Sequence, residues 1–234
     1  MIKRAYRAEA ASHLRTIALA YGQFIVDFGR AIHFEDLLKM KGETTGNGDV
    51  NLLAAVLAKY GYIKDVAVWA WDFDYCVKQY KSIQGTLPTA ICTASNDRIH
   101  PQFAGKHSGG NFPLSVACCI VRCPNNDYRT LISEKFPVAY SRGLHSYGKW
   151  RKKSDGNAGG LWGDEGGFIA FFDGHVEWYE NIQGTFYQWE TSIPTTILRE
   201  LLPNDGYFTD IDNQIPGSCF FDWQGSDVHS GLHY

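Results

Sequence analysis

Apolar residues in the first part of the chain recur every three or four positions, which is the spacing of one buried face of an α-helix. The two turns before this stripe, residues 4–11, carry almost no large aliphatic side chain. The pattern predicts a long amphipathic helix over residues 5–32, with an N-terminal end that projects from the rest of the protein. Its predicted buried face consists of Leu14, Ile17, Ala18, Tyr21, Phe24, Ile25, Phe28 and Ile32.

A second, shorter helix is predicted over residues 49–59. Asp49 suits its first position, because a carboxylate there accepts hydrogen bonds from backbone amides that have no partner inside the helix. The apolar positions that follow share one face of the helix. We expect this face to be buried through Leu52, Leu53, Val56, Leu57 and Tyr60.

Strand signals dominate the later part of the chain. Residues 114–121 and 136–140 are apolar enough to form buried strands, whereas residues 66–71 form either a strand or an irregular aromatic segment. Residues 166–179 contain two aromatic and β-branched runs joined by Asp173 and Gly174. An Asp-Gly pair between such runs predicts a tight β-hairpin with a type I′ turn.

The composition agrees with these elements. With 24 glycines, 15% aromatic and 20% charged residues, the chain suits a domain rich in strands and turns. The predicted fold class is α+β, with a long N-terminal helix packed on an antiparallel β-sheet and with long loops. No repeat or linker divides the chain, so we expect a single domain over residues 1–234, with the helix in 1–35 and a globular head in 36–234.

Charge, hydropathy and cysteine content restrict the function classes further. The net charge is −3 and the basic run at residues 149–153 is short, so we expect no nucleic-acid partner. The sequence contains no apolar stretch of about 18 residues, which is the length that would predict a membrane span. The six cysteines are compatible with disulfides or buried thiols. The spacing of Cys118, Cys119 and Cys123 differs from that of a zinc knuckle, so we do not expect a metal there.

Motifs of the common enzyme classes are absent from the sequence. It contains no nucleophile elbow, no zinc-protease motif and no phosphate-binding glycine loop. Asp72 and Asp74 share a face if their segment is a strand, and they form either a pair of catalytic carboxylates or two solvated acids. His175 is either a ligand or catalytic residue, or a residue on the polar face of a strand. We favour the second interpretation in both cases and predict no catalytic site.

Two other groups of residues suggest binding. Asp205, Asp210 and Asp212, with Asn213 beside them, supply clustered oxygen ligands in a loop, which suits a hard cation such as calcium. An ordinary polar loop is the alternative. The tryptophans form either a flat sugar-binding platform or, for most of them, core and subunit contacts; they are Trp69, Trp71, Trp150, Trp162, Trp178, Trp189 and Trp223.

Four segments, in this order along the chain, resemble bacterial type II secretion pseudopilins and prepilin-like proteins. Residues 4–20 are similar to the second half of the family's N-terminal helix, and residues 57–65 (LAKYGYIKD) to the segment that precedes its sheet. Residues 137–144 (PVAYSRGL) and 166–179 (GGFIAFFDGHVEWY) resemble the end of the globular head. The resemblance covers residues 4 to 180 and is most specific at 137–179.

This resemblance implies a structural subunit of a type II secretion pseudopilus or a type IV pilus-like filament. Its partners would be copies of itself and other pseudopilin subunits. The head would be periplasmic or extracellular, and an apolar N-terminal half-helix would anchor the full-length protein in the inner membrane. Major pseudopilins of the family commonly hold calcium in a C-terminal loop, so the resemblance favours a calcium site at Asp205, Asp210 and Asp212.

Two features depart from the family pattern. The cleavage site and the apolar half-helix are absent, and Gly163 stands where some relatives carry a histidine. We expect that the N-terminus has been trimmed, because a helix that starts at its polar half has no evident purpose alone; a relative that has lost the anchor is the alternative. Other functions left open are a secreted carbohydrate- or surface-binding module and a divergent hydrolase.

Overall fold

A long N-terminal helix packed on an antiparallel sheet organises the protein. The computed structural model describes residues 2–30, 50–92, 115–121, 137–144, 149–154 and 159–181, and the strand backbones at 186–187, 194–195 and 218–221. The described part is α+β, as predicted from the sequence.

The first helix, α1, comprises Ile2–Phe28. Six predicted face residues, Leu14, Ile17, Ala18, Tyr21, Phe24 and Ile25, are buried, which confirms the period of the pattern. Phe28 is 42% exposed, so its predicted burial is wrong; it lies at the last position of α1, where the helix reaches the edge of the core. Ile32 lies outside the described residues.

Two shorter helices follow: α2, Val50–Lys59, and α3, Tyr75–Gln84. Val56 and Leu57 of α2 are buried as predicted, but Tyr60 is 44% exposed. Tyr60 lies past the end of α2 and turns its ring towards Phe28, with the ring centroids 4.9 Å apart. The capping residue predicted for α2, Asp49, lies outside the described residues, as do the side chains of Leu52 and Leu53.

The segment before α3 is the irregular aromatic segment, not the strand. Val66–Val68 form a short 3₁₀ turn, which Asp65 caps by accepting a hydrogen bond from the Ala67 amide at 2.9 Å. Trp69 and Trp71 follow and are buried. This segment therefore contributes two large rings to the core without pairing in the main sheet.

The main sheet consists of β1 (Val116–Val121), β2 (Pro137–Ser141), β3 (Gly167–Phe171), β4 (Val176–Tyr179) and a later strand, Ser218–Phe221. Along the sheet the order is β4, β3, β2, β1 and then Ser218–Phe221, with every neighbouring pair antiparallel. A separate two-stranded ladder pairs Phe186–Tyr187 with Pro194–Thr195. These pairings confirm the strands predicted at 114–121 and 136–140.

The predicted hairpin is present, but its turn differs from the predicted type I′. The Gly174 amide donates to the Phe171 carbonyl at 2.9 Å, and the Phe171 amide donates to the His175 carbonyl at 3.0 Å. The loop is therefore Phe172-Asp173-Gly174, with Gly174 at φ 88°. Asp173 accepts a hydrogen bond from the His175 amide at 3.0 Å. This side-chain bond and a single glycine with positive φ favour the three-residue loop.

The core lies between α1 and the sheet. Helix α1 packs on β2 and β3 and also contacts β4. All residues of β2 are buried, as expected for a central strand covered by a helix. Tyr21 of α1 lies 5.2 Å from Phe172, measured between ring centroids, so the hairpin packs beside the middle of the helix.

Candidate functional site

The side of α1 opposite its buried face carries two exposed apolar side chains, of which Leu19 lies beside the hairpin turn at Gly174. Leu19 is 54% exposed and Val26 is 67% exposed. They are seven residues apart, which places them on the same face of the helix. We call this pair the outward face of α1. At the end of the helix, Phe28 and Tyr60 are also exposed, but Phe28 shares a helix face with the buried Phe24 and not with Val26.

The N-terminal turns of α1 pack against the rest of the protein, so the prediction that they project from it is wrong. The ring of Tyr6 stacks on Phe73 with centroids 4.6 Å apart, and the guanidinium of Arg7 lies 3.8 Å from the centre of the Trp178 ring. Ala10 is fully buried. The sequence contains few aliphatic residues here, but tyrosine and arginine side chains also cover apolar surface, and flat rings give them partners.

Trp162 completes this contact by meeting the Trp178 ring edge-on, with centroids 5.2 Å apart. Glu165, three residues later in the 3₁₀ segment Gly163–Glu165, forms ion pairs with Lys3 at 3.3 Å and Arg7 at 3.5 Å. Such exposed pairs contribute at most about 1 kcal/mol, so the aromatic contacts supply most of the anchoring. We call Tyr6, Arg7, Phe73, Trp162 and Trp178 the base of α1.

Asp72 and Asp74 lie in different environments, and Asp74 is not a solvated acid. Asp72 is exposed and forms an ion pair with Lys81, whereas Asp74 is completely buried. Asp74 is the N-cap of α3 and accepts a hydrogen bond from the Cys76 amide at 2.9 Å. Because a helix begins at Asp74, the two carboxylates lie in different environments. In a strand they would share one face.

Arg142 is the buried partner of Asp74. Its Nη2 donates to Asp74 Oδ1 at 2.5 Å and its Nη1 donates to the Gly159 carbonyl at 2.6 Å. The hydroxyl of Ser115 donates to the other oxygen of Asp74 at 2.7 Å, and the Arg142 amide donates to the Ser115 carbonyl at 2.9 Å. This network joins the start of α3, the chain before β1 and the chain after β2.

The environment of this network determines the protonation states of its side chains. Burial alone would lower the pKa of Arg142, but the Asp74 carboxylate raises it above the ordinary value, so the guanidinium stays charged. Burial raises the pKa of the Cys76 thiol, although Arg142 is nearby. Burial also raises the pKa of the Tyr75 hydroxyl. A protonated, buried thiol is a poor nucleophile. The arrangement suits a structural role, in which hydrogen bonds and the ion pair hold separate chain segments together, better than covalent catalysis.

His175 lies directly after the hairpin turn. Its ring stacks on Phe171 with centroids 4.2 Å apart, and its Nδ1 lies 2.6 Å from Asp173 Oδ1. Within the described ranges, no three histidine, cysteine or acidic side chains lie together as a metal site would require. Asp205, Asp210 and Asp212, the predicted calcium ligands, lie outside the described residues, as does Asn213.

The described tryptophans do not form an open platform. Trp69, Trp71, Trp150 and Trp162 are buried, and Arg7 covers the ring of Trp178. Trp189 and Trp223 lie outside the described residues. Core packing therefore explains the tryptophans whose positions are known, as expected for most of them.

Two other sequence expectations concern cysteines and membrane spans. Cys76 and Cys92 carry buried thiols; the side chains of the other cysteines lie outside the described part. Of the helices in that part, none combines the length and apolar character that crossing a bilayer requires.

Ser115 and Arg142 were not singled out by the sequence analysis. A usable signal was present, because Arg142 directly follows an apolar strand and Asp74 directly follows an aromatic run. A charged side chain at such a position either lies at the surface or is paired with an opposite charge in the interior. What the sequence does not show is that these two charges, 68 positions apart, meet.

Comparison of the chain with models of protein families, with curated proteins and with solved structures gives no match. The geometry described above and the sequence resemblance are therefore the observations that bear on function.

Proposed function

We propose that the protein is the globular head of a pseudopilin-like structural subunit, which assembles into a filament through its N-terminal helix. One observation carries the proposal: α1 is held along the sheet by one face, while Leu19 and Val26 on its outward face remain more than half exposed. A long helix with one buried face and exposed apolar side chains on the opposite side can contact a neighbouring subunit as well as its own head.

The base of α1 gives the helix a fixed position. Tyr6 and Arg7 contact the rings of Phe73 and Trp178, while Phe24 packs near the other end against Tyr60 and Tyr62. A helix attached at both ends presents its outward face in a single orientation. When this face contacts a different surface on the next copy, the contact is heterologous. A series of heterologous contacts that does not close into a ring of subunits builds a filament.

The remaining parts of the proposal follow from this role. In the full-length protein, an apolar segment before α1 would anchor the subunit in the inner membrane until it enters the filament. The head would then lie in the periplasm or outside the cell, with other pseudopilin-like subunits as its partners. A carbohydrate-binding role has less support, because the described tryptophans are buried or covered.

The proposal is tested by adding an apolar half-helix and a prepilin peptidase site before Ile2. The fusion is expressed in a bacterium that contains a type II secretion machinery. We expect the protein to be processed and to form filaments that are visible by electron microscopy. As a control, the same fusion with its cleavage-site glycine replaced should remain in the membrane without filaments. Processed, inserted protein that forms no filaments would contradict the proposal.

A further inference from the structure

Basic side chains gather at the end of the protein where α1 begins. Glu165 contacts both Lys3 and Arg7, and the same 3₁₀ segment lies close to the backbone of residues 151–153. A β-carbon placed on Gly163 would lie 3.5 Å from Cγ of Lys153. The two basic segments therefore meet on either side of Gly163–Glu165. We call this surface the basic end; it comprises Lys3, Arg4, Arg7, Lys149, Arg151, Lys152 and Lys153.

Positive charge at the basic end exceeds the acidic charge nearby. All of its lysines, together with Arg4, are exposed to solvent. The described acidic residues on the adjoining segments are fewer: Glu9, Asp164, Glu165, Glu177 and Glu180, with the nearby Asp72 paired to Lys81. The whole chain has a net charge of −3, so the positive charge is concentrated here against an acidic remainder. Such a concentration attracts a polyanionic surface by long-range electrostatics.

Aromatic rings lie beside these charges. Tyr6 is 37% exposed, and Phe73 and Trp178 are half-buried next to it. Tyrosine and tryptophan are favoured at the headgroup level of a bilayer, because the apolar part of the ring contacts the acyl chains while its polar group contacts water. Single-stranded nucleic acid instead needs open ring faces for stacking, but the face of Trp178 is already covered by Arg7.

We propose that the basic end docks peripherally on anionic phospholipid headgroups, with Tyr6 at the level of the headgroups. This contact is separate from a membrane-spanning anchor, and it does not depend on filament assembly. It would place the protein with the start of α1 towards the membrane and the end of α1 away from it.

The first test uses the purified chain and vesicles. We expect the protein to sediment with vesicles of equal parts phosphatidylglycerol and phosphatidylcholine, and not with vesicles of phosphatidylcholine alone. The binding should be lost at about 1 M salt, where the screening length falls to about 3 Å. Equal binding to both kinds of vesicle, or no binding to the anionic ones, would overturn the proposal.

Matched variants locate the contact. Replacing both Lys152 and Lys153 with glutamine should weaken binding about 25-fold, since each basic residue near an anionic surface contributes about fivefold. The control replaces the exposed residues Lys59 and Lys64 with glutamine and makes the same change in charge. These residues flank Tyr62, whose hydroxyl donates to Asp27 at 2.5 Å, so they lie near the opposite end of α1. The control variant should bind as tightly as the original protein.

A third variant tests the sign of the effect. Glu165→Gln removes an acid from the basic end and releases Lys3 and Arg7, so vesicle binding should become about fivefold tighter. A residue with a merely structural role would not increase affinity when replaced. Equal weakening in both double-lysine variants would overturn the proposal. So would duplex DNA binding that is lost in the Lys152/Lys153 variant while no vesicle binding is seen.

Discussion

At the scale of single residues, Asp72 and Asp74 show how position decides the role of a carboxylate. Asp72 is exposed beside Lys81, whereas Asp74 is buried with Arg142 and Ser115. Removing one member of a buried ion pair leaves an uncompensated charge, which costs about 3–5 kcal/mol. We expect Asp74→Asn to lower the free energy of unfolding by that amount.

Asp72→Asn is the matched control, because it makes the same chemical change at an exposed pair. We expect it to cost less than about 1 kcal/mol. Urea unfolding of the two variants measures both values. Equal losses would show that the buried network does not support the fold as described.

His13 provides a test of pH dependence. It lies half-buried in α1, with its ring 6.0 Å from that of Trp71 and its Nε2 3.7 Å from Glu9; Asp65 is the other acid that acts on it. Burial lowers the pKa of His13 below 6.5, although Glu9 and Asp65 act in the opposite direction. The unfolded chain therefore binds this proton more readily than the folded protein does.

The stability that neutral His13 provides is fully present above its ordinary pKa of 6.5 and is lost as the pH falls below that value. We expect the free energy of unfolding to decrease between about pH 7 and pH 5, above the range where most carboxylates titrate. In His13→Gln this decrease should be smaller. An unchanged pH dependence in the variant would contradict the assignment.

At the scale of elements, the buried face of α1 depends on Phe24. This ring is fully buried and lies 4.4 Å from Phe28 and 5.5 Å from Tyr60, measured between ring centroids. Phe24→Asp removes a large apolar group and buries a charge, which should cost more than about 3 kcal/mol and unfold or aggregate the protein. Val26→Asp, two positions away at a 67% exposed site, should leave the circular dichroism and the thermal midpoint nearly unchanged. An unchanged thermal midpoint for Phe24→Asp would contradict the packing of α1.

The turn after β2 crosses a second segment of chain at Gly143. A β-carbon at this position would lie 2.1 Å from the Cα of Gly160, and its backbone has φ 102°. Gly85 has a similar φ of 88° but nothing within 4 Å. Gly85→Ala should therefore cost about 1–3 kcal/mol from the backbone alone, because φ 88° with ψ −152° suits glycine only, and Gly143→Ala clearly more. Equal midpoints in chemical unfolding would argue against the close crossing.

The elements that were predictable from the sequence are those with strong local signals. The period of α1, the apolar runs of β1 and β2 and the Asp-Gly hairpin each depend on a few neighbouring residues. Helix α3 was not predicted, because its sequence, Tyr75–Gln84, is polar and its start depends on Asp74. The docking of Tyr6 and Arg7 also could not be predicted, since their partner rings, Phe73 and Trp178, are distant in sequence and only the fold brings them together.

At the scale of the whole molecule, α1 has two roles in the proposed account. Its inner face holds the head together through Leu14, Ile17 and Phe24, while Leu19 and Val26 remain on the outside. A subunit contact would bury these two side chains and contribute about 25 cal/mol for each Å² of apolar surface removed from water. The central claim is therefore that the outward face of α1 is a contact between subunits.

Filament assembly by single-site variants of the anchored fusion tests this claim most directly. Val26 and Ile83 are both exposed apolar residues on helices, at 67% and 58%, but only Val26 lies on the outward face of α1. Counted by electron microscopy, filaments should disappear in Val26→Asp and remain at the original number in Ile83→Asp, with both proteins folded and processed. Filaments in undiminished number from Val26→Asp would contradict the account.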